Sequence, residues 1–368
     1  MNVYIFKYSL LLSFFAGIIV VGCVPKDKKD NFDKVLSFSL NIVNTKPPEL
    51  ICKLSEENIL LKDIVDFTFI NDTSFVVLDG QGAYLYHISG TFKKQFGNRG
   101  QAGGEMISPS IVYATHDFVY IWCNSLMKFM IFDHEANFKY ELSGFKKSVR
   151  KFAVDPSNEI LYLYTSGIFN ELENKMIDVI DVFNITEKSS KQFGERCPED
   201  EVLFTFSNSS GLYVNTDRFI YLHPGNLILH DLDLNSDKTF RYKIEDKEFH
   251  REMITSNIRD IMESRTKLFN YLYRSSLVKG LYKNNNQFII VSEIGESEFD
   301  EQTRIMNNRN RKVKLYILDS FFTPIHTILF DYIKSPNIAI HSNSLYFITL
   351  IDSDDQIFAL KRFPLSEE

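Results

Sequence analysis

Sorted only into hydrophobic and polar positions, residues 63–96 fall into four short apolar runs separated by turn residues. The runs are Ile64–Ile70, Ser74–Leu78, Ala83–Ile88 and Thr91–Phe96, parted by Asn71-Asp72-Thr73, Asp79-Gly80-Gln81-Gly82 and Ser89-Gly90. Runs of this length, rich in Phe, Tyr, Val and Ile and punctuated by Gly, Asn, Asp and Ser, predict antiparallel strands joined by tight turns. The phrase then recurs. Its two middle runs reappear as Phe118–Trp122 with Phe129–Asp133, Ile160–Tyr164 with Asp178–Phe183, and Phe219–Leu222 with Leu227–Asp231. Further on come Gln287–Val291 with Val313–Leu318, and Ser344–Ile348 with Gln356–Leu360, which makes six units in all. Repetition of a four-stranded unit predicts an all-β fold, a six-bladed β-propeller over residues 35–368.

The sixth unit runs out of chain before a fourth strand, while a spare strand, Val35–Ile42, precedes the first unit. An unclosed ring exposes unpaired strand edges. The N-terminal strand is therefore expected on the last blade, where it closes the ring. The competing architecture is an open β-sandwich.

Insertions are distributed unevenly. The first-to-second and third-to-fourth connections of each unit are short. The long ones, 97–108, 165–176, 194–202, 245–276 and 293–312, all join other strands. Because strands alternate in direction, these long connections emerge on one face of the disc, and loops on a rigid scaffold are where binding usually sits. The largest, 246–275, lies between blades four and five. It repeats Phe249, Met253, Ile254, Ile258, Ile261, Met262, Leu268, Phe269 and Leu272 at three- and four-residue steps, the period of an amphipathic helix. Its apolar stripe is expected to cap the propeller mouth; the sharper reading is a lid or a docking helix.

The first unit ends in Gln95-Phe96-Gly97-Asn98-Arg99-Gly100-Gln101-Ala102-Gly103-Gly104-Glu105. This junction resembles that of the NHL-like six-bladed propeller lipoproteins of Bacteroidetes, where a strand ending in Phe-Gly leads to a glycine-rich stretch closing in Gly-Pro-Gly-Glu. Here Ala-Gly-Gly-Glu stands instead, without the proline. The resemblance implies a fold and a compartment, not an activity.

The N-terminus adds a compartment signal of its own. Lys7 precedes an apolar run from Leu10 to Val21, which ends in Val20-Val21-Gly22-Cys23. A run of about a dozen apolar residues suits a signal-peptide core and is short for a bilayer span. The ending resembles a lipoprotein lipobox. That resemblance implies cleavage after residue 22, lipidation of Cys23 and a membrane anchor through several acyl chains, which hold more firmly than one. Residues 23–34 read as a polar tether. The mature protein is thus expected in the cell envelope, on the inner or outer membrane, facing periplasm or surface.

Composition excludes more than it assigns. The formal net charge is −7 and no sustained basic run occurs, which argues against nucleic acid as a partner. Thirty-three Phe and 18 Tyr favour strands. Cys52, Cys123 and Cys197 lie far apart without zinc-ligand spacing, so buried, idle thiols are expected and no metal or cofactor is called for. No nucleophile elbow marks a catalytic triad. Candidate ligand contacts on the elaborated face are Arg99, Glu105, Arg304, Arg309 and Arg311, the last beside Lys312. Asp352-Ser353-Asp354-Asp355 reads as a solvated acidic turn. The function these features favour is non-catalytic binding of a glycan, peptide or envelope protein. The alternative is an envelope hydrolase or lyase with a metal such as Ca²⁺ held by Glu, Asn and Asp side chains in the axial channel.

Overall fold

The first three strands of the chain belong, in space, to its last three blades. The computed structural model describes residues 32–44, 46–54, 61–165, 177–196, 210–252, 261, 264–295, 311–333, 337–352 and 357–365. Strands β1 (Lys34–Ser37), β2 (Asn41–Asn44) and β3 (Glu49–Leu54) lead into a series of four-stranded antiparallel sheets. Blade one is β4 (Ile64–Asn71), β5 (Ser74–Asp79), β6 (Gly82–His87) and β7 (Phe92–Phe96). Blade two is β8 (Pro109–Ala114), β9 (Val119–Cys123), β10 (Lys128–Phe132) and β11 (Phe138–Leu142). Blade three is β12 (Val149–Val154), β13 (Ile160–Thr165), β14 (Ile177–Asn184) and β15 (Ser190–Arg196). Blade four is β16 (Gly211–Val214), β17 (Arg218–Leu222), β18 (Ile228–Asp233) and β19 (Lys238–Glu245). Blade five follows helix α1 (Arg265–Arg274) with β20 (Leu277–Asn284), β21 (Gln287–Ile294), β22 (Arg311–Asp319) and β23 (Pro324–Ile333). Blade six has β24 (Ile338–His341), β25 (Ser344–Asp352) and β26 (Ile357–Pro364) from the C-terminal end of the chain. The first strand of each blade touches the first strand of the next all the way round, which places those six strands about a common axis.

Burial explains why the middle strands are so plain in the sequence. Every residue of β5, β9 and β10 is buried, because each strand is covered on both faces by neighbouring blades, and all but the end residues Ser74, Asp79 and Lys128 are apolar. The outer strands β7 and β11 are mostly exposed and read accordingly as mixed. Each interface between adjacent blades holds its own hydrophobic cluster; Phe67, Val77, Tyr346 and Leu360, for example, join blades six and one. Rings also stack across these seams, as Tyr162 does on Phe219 at 4.5 Å between blades three and four.

The ring closes with an N-terminal strand, but not with Val35–Ile42. The closing strand is β3, antiparallel to β26, with Leu54 opposite Phe358 and Cys52 opposite Leu360. The Val35–Ile42 segment instead divides between two other blades. Its first part, β1, runs parallel to β19, and β2 runs parallel to β23, so blades four and five each gain a fifth, outermost strand. Burial gives the reason: of residues 35–42 only Leu36 is buried, which suits an outer rim, whereas β3 buries both Cys52 and Leu54.

The two faces of the disc differ as the connection lengths predict. On the short-turn face, an Asp or Asn at the start of the turn accepts backbone N–H bonds from residues just beyond it. Asn71, Asp133, Asp155, Asn184, Asn215, Asp233 and Asp319 all do so. Such side chains tie a hairpin turn without needing length. On the opposite face the insertion after β19 is stitched down at both ends. Lys314 of β22 binds Asp246 and Glu248 at 2.7 and 2.6 Å, and the Tyr316 hydroxyl donates to Asp246 at 2.8 Å. Burial pulls the Lys314 ammonium down, but these carboxylates outweigh it and hold its pKa above the usual lysine range. The Ser276 hydroxyl accepts the His250 and Gly295 amides. Helix α1 is capped by Ser264 and buries Tyr271 against Ile261 and Leu277, with Leu268 and Leu272 alongside. The described part of the apolar stripe therefore packs at the start of β20. Residues 253–260, 262 and 263, part of the predicted helical stretch, lie outside the described residues. No helix among the described residues is long and apolar enough to cross a membrane.

Candidate functional site

The inner strands enclose an axial channel of about 490 Å³, lined by residues of β4, β8, β12, β16, β20 and β24. Four of these strands carry an irregularity at the same level, near the end that meets the elaborated face. Pairing skips one residue between Ile64 and Asp66, Pro109 and Ile111, Val149 and Lys151, and Val278 and Gly280. A β-bulge at such a point re-aims side chains that regular alternation would direct elsewhere. The skipped residues are Val65, Ser110, Arg150 and Lys279, and all four line the channel.

Charge concentrates at this level. Asp66 accepts the Phe67 and Val112 amides, both at 3.0 Å, which fixes the carboxylate against the wall between blades one and two. Burial raises its pKa to about 6, against the opposing pull of Lys151, those two amides and Lys279. Lys151 spans from blade three to blade five, where its ammonium donates to the Lys279 carbonyl at 2.9 Å. Burial lowers the Lys151 pKa, the attraction of Asp66 raises it, and repulsion by Lys279 lowers it again; the result lies below the usual range. Burial likewise lowers Arg150. Lys279 lies 3.7 Å from Glu293 on the neighbouring strand. Other hydrogen bonds tie adjacent blades at the axis: the Tyr282 hydroxyl donates to the Ile338 carbonyl at 2.7 Å, and the Asn337 amide to the Ile64 carbonyl at 2.8 Å. Burial holds Tyr282 well above the usual tyrosine range and Tyr113 at about 12, so both remain neutral phenols.

This donor set bears on which chemistry fits. A bound Ca²⁺ needs six or more oxygen ligands. Asp66 is the one carboxylate among the described channel-lining residues, and it faces ammonium groups. Among the described residues no group of three or more His, Cys, Asp or Glu side chains is placed to hold a metal ion. The buried Cys52 and Cys123 are free thiols, pushed by burial to about 11 and about 12. Cys197 lies outside the described residues.

The residues singled out in the sequence do not converge. Glu105 accepts the Ala102 amide at 2.9 Å and folds under Gly100, where an added Cβ would lie 1.9 Å from its carboxylate. It braces its own loop. Arg99 is exposed beside it, in a bridge pairing with Met106. Two glycines of this loop, Gly97 and Gly104, have φ of +66° and +83°, as a tight crossing requires. Arg311 begins β22, while Cys23, Arg304, Arg309, Asp354 and Asp355 lie outside the described residues. The channel residues Asp66, Arg150, Lys151 and Lys279 went unmarked in the sequence. Their signal is a charge set one or two positions inside an apolar run, as in Val65-Asp66-Phe67 and Val149-Arg150-Lys151-Phe152.

Fold and channel together define a class: a six-bladed β-propeller with a charged axial channel beneath an elaborated face. Two solved structures share the architecture. One is a protein of Bacteroides fragilis NCTC 9343 described as exported; it is 11% identical with a TM-score of 0.59, over 90% of this chain and 99% of that one. The other is a member of the DUF4221 family from Bacteroides vulgatus ATCC 8482; it is 8% identical with a TM-score of 0.59, over 86% of this chain and 97% of that one. At these identities the likeness is one of fold. No protein-family model matches the chain, and no curated protein matches it in sequence.

Proposed function

We propose that this chain is an envelope-anchored, non-catalytic binding protein that takes a ligand into the axial channel from the elaborated face. The observation that carries the reading is the set of bulges at one level of the inner strands, which brings Arg150 and Lys279 to the channel beside Asp66 and Lys151. A pocket of a few hundred Å³ with a small number of fixed polar groups is the usual form of a small-molecule site. Arg99, with Arg304 and Arg309 of the connection between β21 and β22 and Arg311 at the head of β22, would form the outer contacts for a larger glycan, peptide or envelope protein.

The anchor is the lipid on Cys23, supported by the Val20–Cys23 sequence and by a fold shared with a Bacteroides protein described as exported. Described structure begins with Phe32, which stacks under Arg241 on the rim of blade four. Residues 23–31 then span at most about 30 Å, which keeps the propeller close to the bilayer. Cys23→Ser is expected to move the protein from the detergent phase to the aqueous phase. Equal partitioning of wild type and variant would remove the anchor from this account.

A further inference from the structure

We infer that the channel ligand is a small organic anion bearing carboxylate or phosphate groups; this rests on the reading of the channel as a ligand site and gives that ligand its chemistry. The whole chain carries a net charge of −7. Among the described residues its axial channel has the opposite balance: Arg150, Lys151, Lys279 and Lys283 line it against the Asp66 carboxylate, with Glu293 of the neighbouring strand 3.7 Å from Lys279. A narrow, protein-walled cleft lined by one sign of charge concentrates counter-ions of the other sign.

Position strengthens the point. Val65 occupies the bulge of β4, where an apolar side chain serves, while the same position holds Arg150 in β12 and Lys279 in β20. Burying a guanidinium and two ammonium groups costs desolvation energy that well-packed apolar residues would avoid. A bound anion offsets that cost. Asp66, held against the wall by the Phe67 and Val112 amides, and Glu293 beside Lys279 share in that compensation, and an anion in the channel adds to it. The Lys151 ammonium has three N–H donors, and the Lys279 carbonyl takes one of them. Arg150 adds the planar fork that suits a carboxylate or a phosphate. At about 490 Å³ the channel admits a molecule of several linked anionic groups.

The test is isothermal titration of citrate, of inorganic phosphate and of a panel of neutral oligosaccharides into the full mature chain at low ionic strength. One or both anions are expected to bind with one-to-one stoichiometry; citrate alone would indicate carboxylate recognition, and phosphate alone would indicate phosphate. Arg150→Gln is expected to weaken binding about tenfold or more, the loss of one charge-assisted contact. Lys283→Gln, at an exposed position of the lining, should weaken it as well and guards against a variant that fails to fold. Asp66→Asn is expected to tighten binding, because it removes a repelling charge from the channel lining. If neither anion binds, or if Asp66→Asn weakens binding, the anion assignment is overturned. A neutral oligosaccharide that binds wild type and is lost on Arg150→Gln would leave the channel as a ligand site while overturning its anionic specificity. Binding of none of the three would overturn both.

Discussion

Asp66 shows which force wins when a carboxylate is walled in by protein yet faces ammonium groups. Burial raises its pKa to about 6, although Lys151 and two backbone amides pull the other way. The sign for stability follows. A carboxylate whose folded pKa exceeds its unfolded value contributes stability that is fully present below the unfolded pKa, near 4, and lost as pH rises through about 6. Carbon-detected NMR of the Asp66 carboxyl is expected to show a midpoint near 6. Lys151→Met should raise that midpoint by roughly one unit or more, since an adjacent cation favours the charged form. A midpoint near 4 in both proteins would contradict the burial described for this group. At this scale the sequence conceals the site for a definite reason. A charge inside an apolar strand is visible, but the bulge that turns it to the axis is a matter of register between two strands. Glu105 is the converse: conspicuous beside its glycines, it accepts the Ala102 amide of its own loop.

Among the elements, the N-terminal segment has two separable jobs. β1 and β2 reinforce the rims of blades four and five, and β3 closes the ring. Two truncations distinguish these. A chain that begins at Pro47 loses the buried Leu36, worth about 1.5–3 kcal/mol of hydrophobic burial, and is expected to melt in one cooperative transition at a lowered temperature. A chain that begins at residue 55 also loses β3, exposes the edge of β26 and is expected to lose cooperative melting altogether. If removing 47–54 costs no more than removing the preceding segment, β3 is not the closing strand. The middle strands could be read from sequence because burial on both faces keeps most of their central positions apolar, most fully in β5, β9 and β10. The closing strand could not, since Glu49–Leu54 buries only Cys52 and Leu54 and follows Pro47-Pro48. Helix α1 was foreseeable from its spacing, but its partner was not: the stripe meets Leu277 at the head of β20 and contributes no described residue to the channel lining.

Taken as a whole, the molecule separates support from recognition. The short-turn face is tied by repeated Asp and Asn side chains, and its uniformity leaves little to vary. Insertions accumulate on the other face, and the bulged, charged level of the inner strands lies just beneath it. The asymmetry of connection lengths made the elaborated face legible in advance. The channel was not, because six strands distant in sequence supply it. Hydrogen exchange followed by mass spectrometry tests the central claim, that ligand is held at the axis, most directly. The mature chain would be incubated with the small-molecule fraction of envelope extract and compared with the chain alone. New protection is expected in the inner strands Ile64–Asn71, Val149–Val154 and Leu277–Asn284, where binding would still the channel wall. Protection confined to 97–108 and 246–276, with the inner strands unchanged, would contradict a ligand in the channel and move recognition to the loops of the elaborated face.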